Sequence, residues 1–444
     1  MSKTIYFLGI GGIGMSAIAR YFLQIGHRVY GYDHTQTAIT DQLTAEGALI
    51  HYDEDVKKIP SAVDFVVYTP AISIQHIEYQ YFKNNNIPIF KRSQVLGEIV
   101  NGHITYAVAG THGKTTTTAM LAQLLNPYRH LTAFIGGIAK NFDTNFIINN
   151  PFDTAVVEAD EFDRSFLTLH PTHAIITSMD ADHVDIYGDK RHLIESFQLF
   201  ANQIDKKGYL IIHETVADQI SHPGKLVYGF GSQCDFRIEE VKSEGRRTTF
   251  TLCGMSKRYQ NLTLNIPGKH NVLNAAAACA VATLAGLTEE EISKQLTDFQ
   301  GVKRRFDYQI EEKETLFIDD YAHHPEELRS IITAVKKLYP ERKLTAIFQP
   351  HLYTRTRDFA PQFAEVLALA DEIILLDIYP ARELPIEGIT SQFLLDQIPH
   401  SHKLLLSKKE LISYLEIHKP ELLLTLGAGD IDKLVPEIKK TLVK

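Results

Sequence analysis

At 444 residues, with 44% apolar side chains and a formal net charge of -9, the chain has the material for about three domains of roughly 150 residues, each with its own core. Its lysines and arginines form no basic tracts, which excludes nucleic acid as the main partner, because a phosphate backbone demands a concentrated positive footprint. Cys234, Cys253 and Cys279 are too few and too scattered for a disulfide framework or a thiolate metal site, and with no apolar run of about 18 residues, neither membrane insertion nor export is expected and the location is taken as cytoplasmic.

Residues 4–98 alternate strand-like and helix-like segments: Ile5 to Leu8, a helix from Gly14 to Ile25, His27 to Tyr32, then Phe65 to Thr69. That is the grammar of a parallel α/β sheet. Between the first strand and the first helix lies Gly9-Ile10-Gly11-Gly12-Ile13-Gly14, with Asp33 at the end of the next strand, where an acid can bond ribose hydroxyls. Gly9, Gly11, Gly12 and Gly14 carry no lysine among them and suit a bound diphosphate, either of a dinucleotide cofactor or of another nucleoside diphosphate.

Gly97 to Gly102 breaks the pattern, and His103 to Ala109 starts a new strand that feeds a second loop, Gly110-Thr111-His112-Gly113-Lys114-Thr115, and a helix from Thr116 to Leu125. Lys114 supplies charge for terminal phosphates, Thr115 a hydroxyl for Mg²⁺, and the helix N-terminus faces the anion. The loop is a variant of the Walker pattern, since Val108 stands where the first glycine belongs. Downstream, Thr154 to Glu158 and Ala174 to Ser178 read as strands whose ends converge on Lys114; Glu158 offers a hard oxygen for Mg²⁺, and His183, in Asp180-Ala181-Asp182-His183 ahead of Asp185, can complete a second metal position.

After Gly208, Phe236 to Val241, Thr248 to Leu252 and Leu262 to Ile266 read as an antiparallel appendage, followed by a helix over Asn271 to Leu284 and another opened by the capping box Thr288-x-x-Glu291. Val302 to Phe306 is a charged junction. Beyond it, Thr315 to Ile318, Leu344 to Phe348, Ile373 to Leu376 and Leu422 to Leu426 read as strands, with helices starting at Pro325 and after Ser407. Asp319-Asp320-Tyr321-Ala322-His323-His324 ends the first of these strands, His351, Arg355 and Arg357 follow the second, and Tyr379 to Glu383, with Arg382, closes the third: the strand ends where open α/β sheets hold ligands, with arginines able to clamp a carboxylate or phosphate.

The second glycine loop, Glu158-Ala159-Asp160-Glu161, Asp182-His183, His270-Asn271-x-x-Asn274, Arg304-Arg305-Phe306 and Asp319-Asp320-Tyr321 together resemble the Mur ligases of peptidoglycan synthesis. Gly-Ile-Gly-Gly-Ile-Gly-Met, Asp-Asp-Tyr-x-His-His-Pro and Gln-Pro-His-x-Tyr-Thr-Arg-Thr-Arg resemble its alanine-adding branch. The resemblance implies three α/β domains: a Rossmann-like domain for the UDP-sugar (1–98), a P-loop ATPase domain with the small antiparallel appendage (99–303) and a Rossmann-like domain for the amino acid (304–444). It implies that ATP and Mg²⁺ activate the lactyl carboxylate of UDP-N-acetylmuramate as an acyl phosphate, which L-alanine then attacks, in a monomer or weak homodimer.

Carried over by resemblance, Lys114, His183 and Arg305 act in catalysis. Gly110, Thr111, His112, Gly113, Thr115, Thr116, Asn271, Asn274 and Asp320 bind ATP. The first loop, Asp33 and Arg92 bind the UDP-sugar; Tyr321, His323, His351, Arg355 and Arg357 frame the amino acid; Thr115, Glu158 and His183 hold metal. Two departures from the family pattern stand out. Leu352 occupies a position where many relatives carry arginine, and Glu195-Ser196-Phe197-Gln198 lacks the lysine that sister ligases carbamylate. Alternatives are a recycling ligase that joins a preformed peptide to the same UDP-sugar, an NAD-dependent nucleotide-sugar oxidoreductase, which leaves Lys114, Thr115 and Glu158 without a task, and a P-loop switch without a product.

Overall fold

The computed structural model describes residues 2–180, 190–381 and 383–443. Asp182, His183, Asp185 and Arg382 therefore lie outside the described residues. Two compact units divide the chain, Met1–Val302 and Lys303–Lys444.

The first unit holds two sheets. In one, β1 (Thr4–Leu8), β2 (Arg28–Tyr32), β3 (Leu49–His51), β4 (Phe65–Tyr68) and β5 (Ile89–Lys91) lie all parallel in the order β3-β2-β1-β4-β5. β1 is buried along its whole length, as a strand covered on both faces must be. The chain order reverses on either side of β1, so the loops after β1 and β4 part there and leave a crevice at the strands' carboxyl ends.

The other sheet has ten strands: β6 (Ile104–Ala109), β7 (Leu131–Ala139), β8 (Thr144–Ile148), β9 (Thr154–Glu158), β10 (His173–Ile176), β11 (Leu210–His213), β12 (Lys225–Gly229), β13 (Phe236–Glu244), β14 (Arg247–Gly254) and β15 (Lys257–Leu264). Their order is β15-β14-β13-β12-β11-β10-β6-β9-β7-β8. The three antiparallel strands form no separate layer, because β13 pairs in parallel with β12 at Tyr228–Phe236 and extends the main sheet. The helix Lys114–Leu125 is buried nearly all round, packed on β6, β7 and β9 and against the helix Lys269–Leu284, whose run of buried alanines lets the two approach closely.

The two sheets of this unit share a core. The helix Ile13–Gln24 packs on β7 and β8, with Tyr21 meeting Phe134 and Phe146, each at 6.2 Å between ring centroids. Polar groups complete the seam. Asn145 is fully buried, accepts from Arg20 Nη1 and donates to the carbonyl of Ile13 at 2.6 Å, while Arg20 also pairs with Glu46 at 2.9 Å.

The second unit has one sheet, in the order β16-β17-β21-β18-β19-β20, built from β16 (Asp307–Glu311), β17 (Leu316–Asp320), β18 (Leu344–Phe348), β19 (Glu372–Leu375), β20 (Lys403–Leu405) and β21 (Leu422–Leu426). Only β16 runs antiparallel. Separate apolar clusters fill its two faces. Pro325 opens the helix Pro325–Leu338 at its first position, and Thr288 and Ser407 form the capping boxes their spacing predicts.

Candidate active site

In the ten-stranded sheet β6 lies between β10 and β9, so its end is flanked by both neighbours. The loop Gly110–Gly113 leaves that end, and the helix Lys114–Leu125 starts with its N-terminus toward the loop. Gly110 and Gly113 adopt φ of +131° and +82°, the region open to glycine, and a Cβ on Gly110 would strike Thr177 while one on Gly113 would strike Asn274. β10 secures the other side of the loop: Ser178 Oγ accepts from the His112 amide at 2.9 Å, and Thr111 Oγ1 accepts from the Asp180 amide at 3.0 Å.

Lys114 Nζ donates to the Gly110 carbonyl at 2.6 Å and to Glu161 Oε1 at 2.8 Å, and the side chain of Glu161 has no exposed surface. Burial opposes the lysine's charge, but Glu161, Glu158 and Asp160 outweigh it and hold the ammonium above its ordinary pKa. Burial in turn holds the Glu161 carboxyl above the usual carboxylate range, against the pull of Lys114. The lysine is thus charged and pre-aimed across its own loop.

Glu158 ends β9 in register with Val108, one residue short of the end of β6, and its Oε2 accepts from the Gly136 amide at 3.0 Å. No side chain fits at Gly136: a Cβ there would fall inside the Glu158 carboxylate, and one on Gly137 would come within 3.0 Å of Thr115 Cγ2. Two consecutive glycines of β7 thereby leave room for Glu158, with its carboxylate, and for Thr115, with its hydroxyl. These are hard oxygen donors of the kind Mg²⁺ takes, so the donor chemistry fits that ion. Among the described residues no group of three His, Cys, Asp or Glu side chains assembles as a metal site. Asn271 and Asn274 sit at the start of the helix Lys269–Leu284, Asn274 against Gly113.

At the first loop Gly9 has φ of +83°, and Asp33 turns back on the loop: its Oδ2 accepts from the Gly11 amide at 2.7 Å. Asp33 therefore shapes the turn itself, besides standing where a ribose is expected. A Cβ on Gly14 would lie 2.9 Å from Arg92 Nη1. Arg92 also faces Asp160 at 3.6 Å, next to the carboxylate that holds Lys114.

In the second unit Arg304 and Arg305 lie on the Tyr321 ring, at 5.1 and 5.2 Å from its centroid. Both oxygens of Asp320 are engaged by backbone amides, Oδ2 by Phe306 at 2.7 Å and Oδ1 by Ala322 at 2.8 Å, so this carboxylate also fixes the Arg304–Phe306 turn. Burial lifts both acids, Asp319 to about 6 despite Arg304. His323 and His351 come together, ring centroids 6.0 Å apart, and His351 stacks on Tyr379. Burial pushes His323 below the ordinary imidazole value against the pull of Glu327, which leaves the ring neutral near pH 7.

Arg355 and Arg357 part company. Both lie on the short helix Tyr353–Asp358, and a spacing of two turns side chains to nearly opposite faces. Arg355 turns inward with Nη1 buried and without a hydrogen-bond partner, whereas Arg357 is half exposed and pairs with Asp358 at 2.7 Å. Arg357 thus stands apart from the histidine cluster to which its sequence neighbourhood assigns it. Leu352 caps this helix at φ of +72°.

Residues 4–104 match the Mur ligase family catalytic domain, residues 108–282 the Mur ligase middle domain, and residues 304–429 the Mur ligase glutamate ligase domain. The UDP-N-acetylmuramate–L-alanine ligase of Parabacteroides distasonis is 46% identical, with 99% of this chain and 97% of that protein covered. That of Cytophaga hutchinsonii is 44% identical, with 98% and 96% covered. The crystal structure of the UDP-N-acetylmuramate-alanine ligase from Thermotoga maritima aligns with a TM-score of 0.83 at 28% identity, over 99% of this chain and 98% of its own. With all three family models matched along the chain, and relatives at 44% and 46% identity over nearly its whole length, the chain belongs to the Mur ligase family.

Proposed function

We propose that the protein is an ATP-dependent ligase that joins L-alanine to the lactyl carboxylate of UDP-N-acetylmuramate, with release of ADP and phosphate. What carries this is one arrangement within the first unit: Lys114 poised on a P-loop, Glu158 held across from it at Gly136, and a lysine-free glycine loop joined to them through Arg92 and Asp160. A spent nucleotide and a carried one are both provided for. The working domain boundaries are 98 and 303, and the enzyme acts in the cytoplasm, where its nucleotide substrates are, as a monomer or weak homodimer. No helix among the described residues is long and apolar enough to cross a membrane.

In this mechanism the Gly110–Gly113 loop cradles ATP, and Lys114 leaves Glu161 to neutralise charge on the transferring phosphoryl group. Thr115 and Glu158 would hold Mg²⁺, whose charge, when bound, offsets that of the β- and γ-phosphates. The lactyl carboxylate attacks the γ-phosphorus and ADP leaves; the amine of L-alanine then attacks the acyl phosphate carbonyl and phosphate leaves. On family likeness, Asn271, Asn274, Asp320 and Arg305 are assigned to the nucleotide, and Tyr321, His323, His351 and Arg355 to the amino acid. His183, carried over on family likeness, is assigned to a second metal.

The test is an amino-acid panel with ATP and UDP-N-acetylmuramate, reading phosphate release. L-Alanine should drive turnover; turnover with a murein tripeptide and none with alanine would reassign the acceptor. Within the panel, Arg355→Ala should raise KM for alanine on the order of 50-fold, the worth of a charge-assisted bond to its carboxylate, and Arg357→Ala should leave it within about twofold. Equal effects of the two would break the assignment of the amino-acid carboxylate to Arg355.

A further inference from the structure

Two consecutive cations, Lys91 and Arg92, bind the turn that carries the partner of Lys114. Lys91 Nζ meets Asp163 at 3.0 Å and Arg92 Nη2 meets Asp160 at 3.6 Å, so the pair grips the turn on either side of Glu161. The same turn is fastened further along, where Thr168 Oγ1 donates to the Ser93 carbonyl at 2.8 Å. Asp163 and Arg164 both adopt φ near +50°, at +52° and +53°. Such conformations are unfavourable for side-chain-bearing residues and persist only where surrounding contacts impose them.

Arg92 also covers Gly14, at the N-terminus of the helix Ile13–Gln24, where the diphosphate of the carried nucleotide belongs. Its contact with Asp160 is long, and Asp160 is 39% exposed. A phosphate arriving at the loop offers a guanidinium a stronger, bidentate partner than this carboxylate. We propose that the Lys91–Arg92 pair couples the two nucleotide sites: a diphosphate at the first loop draws Arg92 from Asp160, the strained turn relaxes, and Glu161 yields Lys114 to the triphosphate. This rests on the ligase assignment only for the identity of the two nucleotides.

The coupling is reciprocal, since each ligand must raise the other's affinity by the same factor. Titration of a non-hydrolysable ATP analogue, with and without saturating UDP-N-acetylmuramate, should show affinity higher by on the order of tenfold with the UDP-sugar present. In Asp160→Asn the factor should fall to within about twofold, with the analogue binding the sugar-free protein more tightly than it binds wild type. Lys91→Met should reduce the factor in the same direction. A fold defect would weaken both ligands and does not reproduce tighter binding to the sugar-free form. Absence of coupling in the wild type, or its survival in Asp160→Asn, would overturn the proposal. Failure of the ligase reading is separate: it would show as alanine-independent phosphate release, whatever the binding data give.

Discussion

Lys114→Ala should abolish ligation, with kcat down by at least about 10³-fold, while UDP-N-acetylmuramate is still bound, its affinity moving by no more than the roughly tenfold that the coupling between the two loops allows. The rate loss follows from removing a preorganised cation from the site of charge development. Sugar binding survives because the first loop binds through its own amides and Arg92, on a different sheet. The substitution also takes the cation from Glu161, whose side chain is fully buried. Breaking a buried pair from one side costs about 3–5 kcal/mol, moderated here because a carboxyl already held above its usual range can take up a proton. Lys114→Ala with Glu161→Gln should therefore recover thermal stability without recovering activity. Phosphate release and isothermal titration of the UDP-sugar distinguish the cases. Joint loss of turnover and sugar binding in the stabilised double variant would count against two separate nucleotide sites.

Gly136→Ala should be nearly as damaging although it alters no chemical group. The added methyl falls inside the Glu158 carboxylate, so either the glutamate swings away or β7 shifts at its edge. Removal or misplacement of one ligand to a metal in phosphoryl transfer costs on the order of 10²-fold in kcat. Glu158→Ala and Gly136→Ala should then share a signature: a raised Mg²⁺ requirement with partial rescue at high Mg²⁺. Turnover of Glu158→Ala unchanged at low Mg²⁺ would remove Glu158 from the ligands.

Both glycine loops were legible in the sequence because their backbone demands are local: a turn at φ +82° or +131° has to be glycine, and the strands and helices around it follow their own periodicity. Glu158 was legible as the polar end of an apolar strand. Glu161 was not, since nothing in its spacing says that a 3₁₀ turn brings it to Lys114, 47 residues away. Gly136 was missed for the same reason: it reaches Glu158 through sheet order, which is not written in any one strand, whereas the strand ending at Ser178 was read as converging on Lys114 without the individual contacts of Thr177 and Ser178. The arginines of the short helix show a finer limit. Arg355 and Arg357 look equivalent in a motif, and only the phase of the helix turns one in and the other out. The break read from composition at Gly97–Gly102 falls later, because the helix Arg92–Val100 runs through Gly97 and the turn is Asn101–Gly102, and the seam between helix Ile13–Gln24 and β7–β8 rests on Arg20 and Asn145, which no local pattern links.

That seam sets a waiting time. Arg20 and Asn145 are 125 residues apart in the chain, and synthesis proceeds at about 5–20 residues per second. The first sheet is complete once β5 ends at Lys91, and the flank carrying Tyr21 and Arg20 then stays bare until β8 ends at Ile148, roughly 3–11 seconds later. The surface that later unites the two nucleotide sites in one body is, at birth, the part of the molecule most in need of protection from other nascent chains.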